Sequence, residues 1–118
     1  MQIKKIVELL EAEILWGEEL LENEVHSACA ADMMSDVLAF VKDQAVLISG
    51  LANPQVVRTA EMMDMRCIVM VRGKRPDNVF IELAKSKNIV VLTSKARMYS
   101  ACGLLYANGL GAGEHNVD

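Results

Sequence analysis

The sequence predicts an α/β fold: a three-layer sandwich with a mostly parallel central sheet of about five strands and helices on both faces. Three apolar runs in the second half carry this expectation, Ala45-Val46-Leu47-Ile48-Ser49, Cys67-Ile68-Val69-Met70-Val71 and Ile89-Val90-Val91-Leu92-Thr93. They do not alternate polar with apolar residues, which suits strands buried on both faces of a parallel sheet. Each run also ends in a short polar turn with helix-start chemistry, at Asn53-Pro54, Arg75-Pro76-Asp77 and Ser94-Lys95. Strand, helix and strand repeated in this way make parallel pairs joined by crossovers.

The remaining elements follow in chain order. Ile3, Ile6, Val7 and Leu10 fall at helical spacing and predict a short amphipathic helix over 3–11. Ala12 to Trp16 reads as a short strand closed by Gly17, and Glu24 to Cys29 as a second strand. Asp32 has the chemistry of an N-cap for a helix over 33–42, with Asp36 in the dipole-favoured first turn. Asn53 caps the next helix, Pro54 sits in its first turn, and Val56, Val57, Ala60, Met62 and Met63 form its apolar face. Pro76 and Asp77 open a helix whose buried stripe is Val79, Phe80, Leu83 and Ala84, and which closes at Lys85, Lys87 and Asn88. The last helix is expected to start near Ser94, with Met98, Ala101, Cys102, Leu105 and Tyr106 on one side. The glycine-rich run Gly109-Leu110-Gly111-Ala112-Gly113 has no strand before it, so 1–108 is expected to be a single domain and 109–118 a flexible tail.

A length of 118 residues fits one domain. With 53% hydrophobic residues and a mean hydropathy of +0.24, the chain is rich in apolar side chains for so small a body. Some of that surplus is expected in a homodimer interface, because Ala101, Leu104, Leu105 and Tyr106 span more than one face of the last helix. No apolar run approaches the roughly 18 residues that cross a bilayer, and the N-terminal stretch lacks signal-peptide features, so the expected location is cytoplasmic, with no membrane partner. Residues 1–44 carry a net charge of −7 and residues 45–118 a net charge of +3. An isoelectric point near 5.2, with no aromatic residues among the basic ones, argues against nucleic acid. Cys29, Cys67 and Cys102 are widely spaced and His26 and His115 are the two histidines, so neither a metal site nor a redox motif is built, and no cofactor is implied. The cysteines read as small hydrophobes with reduced thiols.

Ligands of such sheets favour the crevice beyond the carboxyl ends of the strands. There the candidate binding residues are Ser49, Gly50 and Asn53 after the first run, Arg72, Gly73, Lys74 and Arg75 after the second, and Thr93, Ser94 and Lys95 after the third. Exposed N–H groups and basic side chains in these turns suit a small anion or a nucleotide. Two functional classes compete. One is a free-standing, non-catalytic regulatory or adapter module that dimerises and contacts a protein partner. The alternative is a small enzyme acting on a phosphorylated substrate through Ser49, Thr93 or Ser94 with Arg72 or Lys95. A hydroxyl nucleophile needs an adjacent base, and neither histidine falls on these turns. Asp32, Asp36 and Asp64 read as helix-capping or solvated carboxylates. No catalytic residue is therefore assigned, and the chain is not expected to be an enzyme.

The stretch Val69-Met70-Val71-Arg72-Gly73-Lys74-Arg75-Pro76, then Glu82-Leu83-Ala84-Lys85, then Asn88-Ile89-Val90-Val91-Leu92-Thr93, resembles the DRTGG domain. It is also similar to the N-terminal domain of the HPr kinase/phosphorylase family. The resemblance runs from the N-terminal helix and Glu13-Ile14-Leu15-Trp16-Gly17-Glu18-Glu19 to Leu105. It implies a three-layer α/β module without catalytic activity of its own, which accompanies others such as CBS pairs in regulatory pyrophosphatases. The chain departs from the family pattern at two turns. Gly50-Leu51-Ala52 stands where DRTGG domains show Gly-Asp-Arg, and Val71-Arg72-Gly73 where they show Thr-Gly-Gly. The phosphate-binding loop of HPr kinases, Gly-x-x-x-x-Gly-Lys-Ser/Thr, is absent from the sequence, so kinase activity is not expected.

Overall fold

In the computed structural model, which describes residues 1–40 and 43–113, five strands form one sheet: β1 (Glu13–Trp16), β2 (Ser27–Ala30), β3 (Ala45–Ser49), β4 (Cys67–Met70) and β5 (Val90–Thr93). Their order across the sheet is β1-β5-β4-β3-β2. β2, β3, β4 and β5 pair in parallel, and β1 joins the edge antiparallel to β5. The helices are α1 (Ile3–Leu10), α2 (Met34–Leu38), α3 (Gln55–Met62), α4 (Asn78–Ser86) and α5 (Met98–Ala107), with a single 3₁₀ turn at Glu18–Leu20. The expected three-layer α/β architecture is thus the observed one.

Period-two side-chain alternation divides the core into two layers. Leu47, Ile68, Met70 and Val91 point to one face, where Val56, Val57 and Ala60 of α3 and Phe80 and Ala84 of α4 cover them, with Val37 of α2. Val46, Ile48, Cys67, Val69, Val90 and Leu92 point to the other, beneath Ile3, Ile6 and Leu10 of α1 and Ala101 and Leu105 of α5. Every residue of β3, β4 and β5 is buried, which explains their unbroken apolar sequences.

Several local expectations are corrected, and among them Val79 and Met62, read as buried faces of their helices, are exposed. Asp32 does not cap α2, whose N-cap is Met33 with no side-chain bond. Its carboxylate instead turns to the end of β3 and accepts from Gly50 N–H at 2.7 Å. α2 is shorter than the expected 33–42, and positions 41 and 42 lie outside the described residues. α5 begins at Met98 rather than near Ser94, because the Ser94 hydroxyl is committed elsewhere and the chain bends through 94–97 before turning helical. By contrast Asp77 acts as read, its Oδ1 accepting from Phe80 N–H at 3.1 Å as the N-cap of α4, while Asn53 Oδ1 accepts from Gln55 N–H at 2.8 Å from just outside α3, whose N-cap is Pro54. Beyond α5, Leu110 is buried and Ala28 N–H on the outer edge of β2 donates to the Gly111 carbonyl at 2.9 Å. The rest of the expected tail, 114–118, lies outside the described residues.

Candidate functional site

Antiparallel pairing brings the start of β1 to the carboxyl edge of the parallel strands, so that Glu13 lies opposite Thr93. A cleft of about 750 Å³ opens there, within the range of small-molecule sites. Its lining includes Gly73 and Arg75 of the turn after β4, Thr93 at the end of β5, and Ser94, Lys95 and Ala96 of the turn that follows. The end of α1 adds Leu9, Leu10 and Glu11 to the lining, and Leu104 of α5 contributes a further apolar side chain.

The turn after β4 is shaped by two residues in left-handed backbone, Arg72 at φ +57° and Gly73 at φ +68°. Such a conformation is easy for glycine and strained for arginine. Cross-turn bonds hold it: Arg72 N–H donates to Ala96 O and Gly73 N–H to Ser94 O, each at 2.8 Å. Thr93 Oγ1 donates to the Lys74 carbonyl at 2.7 Å, and Ser94 Oγ donates to the Leu10 carbonyl at 2.8 Å while accepting from Ala96 N–H at 3.1 Å. Both hydroxyls are buried and satisfied. They brace the cleft.

Charge enters through Arg75. Its two terminal nitrogens donate to the two oxygens of Glu13, at 2.8 Å each, in a bidentate pair exposed at the cleft mouth. These hydrogen bonds, reinforced by the opposite charge, hold the Glu13 carboxyl below its ordinary pKa and raise that of Arg75. Lys95 is exposed on the same rim.

Of the ten candidate residues, Gly73, Arg75, Thr93, Ser94 and Lys95 line this one cleft. Arg72 and Lys74 belong to the same turn but not to its lining. The Arg72 guanidinium lies over Gly50, where a Cβ would run into it. Ser49 is buried at the end of β3, its hydroxyl 3.3 Å from Asp32 Oδ1 and accepting from Leu51 N–H at 3.2 Å. Asn53 is turned to the start of α3, where its Oδ1 accepts from Gln55 N–H. Sequence reasoning missed Glu13, Glu11, Leu9 and Leu104. Glu13 falls in the short strand read from Ala12 to Trp16, and only the direction of β1 reveals its place. Among the described residues no group of three or more His, Cys, Asp or Glu is arranged to hold a metal ion.

A search of curated proteins returned no match. Among solved structures, the CBS and DRTGG domains of the regulatory region of Clostridium perfringens pyrophosphatase, complexed with the activator diadenosine tetraphosphate, share the fold with a TM-score of 0.73 and 23% identity. The similarity covers 88% of this chain and 45% of that one, so the chain spans less than half of that structure. The DRTGG domain model matches residues 5–107, which takes in every helix and strand except the first two residues of α1. The chain belongs to the DRTGG domain family.

Proposed function

We propose that this DRTGG domain is a non-catalytic regulatory module that senses a nucleotide or related phosphate in the cleft between α1, α5 and the carboxyl ends of β4 and β5, and passes that state to a protein partner. The cleft itself carries the reading, because one opening joins a guanidinium fork, an ammonium group and an apolar wall. The fold shared with a regulatory region that is complexed with a nucleotide activator supports it. Gly73, Arg75 and Lys95 would meet the anion, with Thr93 and Ser94 fixing the turn, and Ser49, Gly50, Asn53, Arg72 and Lys74 shaping the neighbouring turns. A thermal-shift panel of ATP, diadenosine tetraphosphate, phosphate and sulfate tests it. A binder at a hundredfold excess over Kd stabilises the native state by about 2.7 kcal/mol. The expected result is a rise in Tm that is lost in Arg75→Ala combined with Arg72→Ala. No response, or a response unchanged in that variant, contradicts the site.

The enzyme alternative has one observation in its favour, the Ser49 hydroxyl against the Asp32 carboxylate. Ser49 is fully buried, however, and Asp32 also binds Gly50 N–H, so the pair is placed to brace a turn rather than to attack a substrate. Incubation of the pure, metal-supplemented protein with nucleoside triphosphates should release no phosphate. Release that scales with protein and disappears in Asp32→Asn would establish the enzyme instead.

A further inference from the structure

We infer that Glu13 is an internal competitor for the ligand's oxyanion, holding the Arg75 fork until a nucleotide phosphate displaces it. The inference rests on the reading of the cleft as a nucleotide site and adds how that site is gated. An arginine fork makes two parallel N–H···O bonds to a carboxylate or to a phosphate, and the edge that grips one cannot grip the other. Both terminal nitrogens of Arg75 are taken by the two Glu13 oxygens at 2.8 Å, and both residues line the cleft. Glu13 therefore occupies the position where an incoming oxyanion would be read. The exchange is easy because both side chains are more than half exposed, and an exposed pair contributes little by itself. The consequence is mechanical, since Glu13 is the first residue of an edge strand and Arg75 lies on the turn between β4 and α4. Displacement removes the side-chain link between that strand end and that turn, leaving the link through Thr93. Leu9, Ala96 and Leu104 offer an apolar surface beside the charged groups, so the ligand class is an oxyanion carried on a flat apolar body, a nucleotide rather than an inorganic anion.

Calorimetric titration of the full chain with ATP, pyrophosphate and adenosine tests the inference in wild type, E13Q, E11Q, R75A and E13Q/R75A. Glu11 lines the same cleft, so E11Q removes an equal charge without freeing the fork. E13Q is expected to tighten ATP and pyrophosphate roughly two- to fivefold, the range that release of an exposed pair allows. E11Q should give less than half of that gain. R75A should weaken both ligands and erase the gain of E13Q, adenosine should be indifferent to every variant, and ATP should bind more tightly than pyrophosphate. Equal gains in E13Q and E11Q, or a gain that persists with R75A, overturn the competitor role, because simple charge repulsion would then suffice. ATP binding to wild type with no gain in E13Q overturns it too, while leaving the cleft a nucleotide site. Binding to none of the variants overturns both readings.

Discussion

The Ser94 hydroxyl joins two parts of the chain that are 84 residues apart, donating to the Leu10 carbonyl and accepting from Ala96 N–H in a buried position. Ser94→Ala leaves both backbone groups without that partner and is expected to cost about 1–3 kcal/mol by urea denaturation. Lys95→Ala, on the exposed rim, should stay within about 0.5 kcal/mol. Arg72 gives a test of opposite sign. Its φ of +57° disfavours any residue with a Cβ, at roughly 1–2 kcal/mol, so Arg72→Gly is expected to be neutral or stabilising, whereas Arg72→Ala keeps the Cβ and gains nothing from the backbone. A third test concerns pH. Burial alone would raise the Asp43 carboxyl, but Gln44 N–H at 2.8 Å, the Ser27 hydroxyl at 3.0 Å and His26 together hold it below its ordinary value. A carboxyl whose pKa is lower in the folded than in the unfolded state contributes stability that is fully present above the unfolded value and is lost as pH falls through the folded one. Wild-type stability should therefore fall as pH falls across that window, and Ser27→Ala should show a shallower loss. Strand-end hydroxyls and basic residues were legible as candidates because strand ends were legible. Their roles were not, since Ser94 and Thr93 spend their hydroxyls on distant carbonyls that no local pattern identifies.

Helix and strand signals were strongest where each element buries a periodic face. The β3-α3-β4-α4-β5 run followed directly from apolar runs and capping residues, and Phe80 marks its packing most sharply. It is fully buried between α4 and the sheet, so Phe80→Ala is expected to cost about 3–5 kcal/mol in the same denaturation assay. Elements whose place depends on distant partners were harder to read. Nothing local in Glu13-Ile14-Leu15-Trp16 says that β1 runs antiparallel, yet that direction delivers Glu13 to the site. Asp32 has an ideal capping side chain, but the open N–H of Gly50 across the sheet edge is the partner it takes. α5 started late for a similar reason. A buried hydroxyl at Ser94 satisfied by Leu10 and Ala96 holds the preceding residues out of helical geometry.

Across the molecule, the two apolar layers account for the core, and α5 keeps apolar side chains outside it. Tyr99 is 90% exposed and Tyr106, two turns on along the same face, is also exposed, on a helix whose Ala101 and Leu105 are buried. We propose this outer face as the homodimer contact. Light scattering in line with gel filtration should then give the mass of two chains at micromolar concentration, and Tyr99→Glu should shift it toward one chain. One chain at every concentration removes the proposal. No helix among the described residues is long and apolar enough to cross a membrane. The proposal that the cleft is a nucleotide site is tested most directly by amide shifts in an NMR titration of labelled protein with ATP. The expected shifts saturate and gather on residues 9–13, 73–75 and 93–96, the stretches that line the cleft and carry the Arg75–Glu13 pair. Shifts that gather elsewhere, or none at millimolar ATP, would show that the carboxyl edge of this sheet is not a nucleotide site.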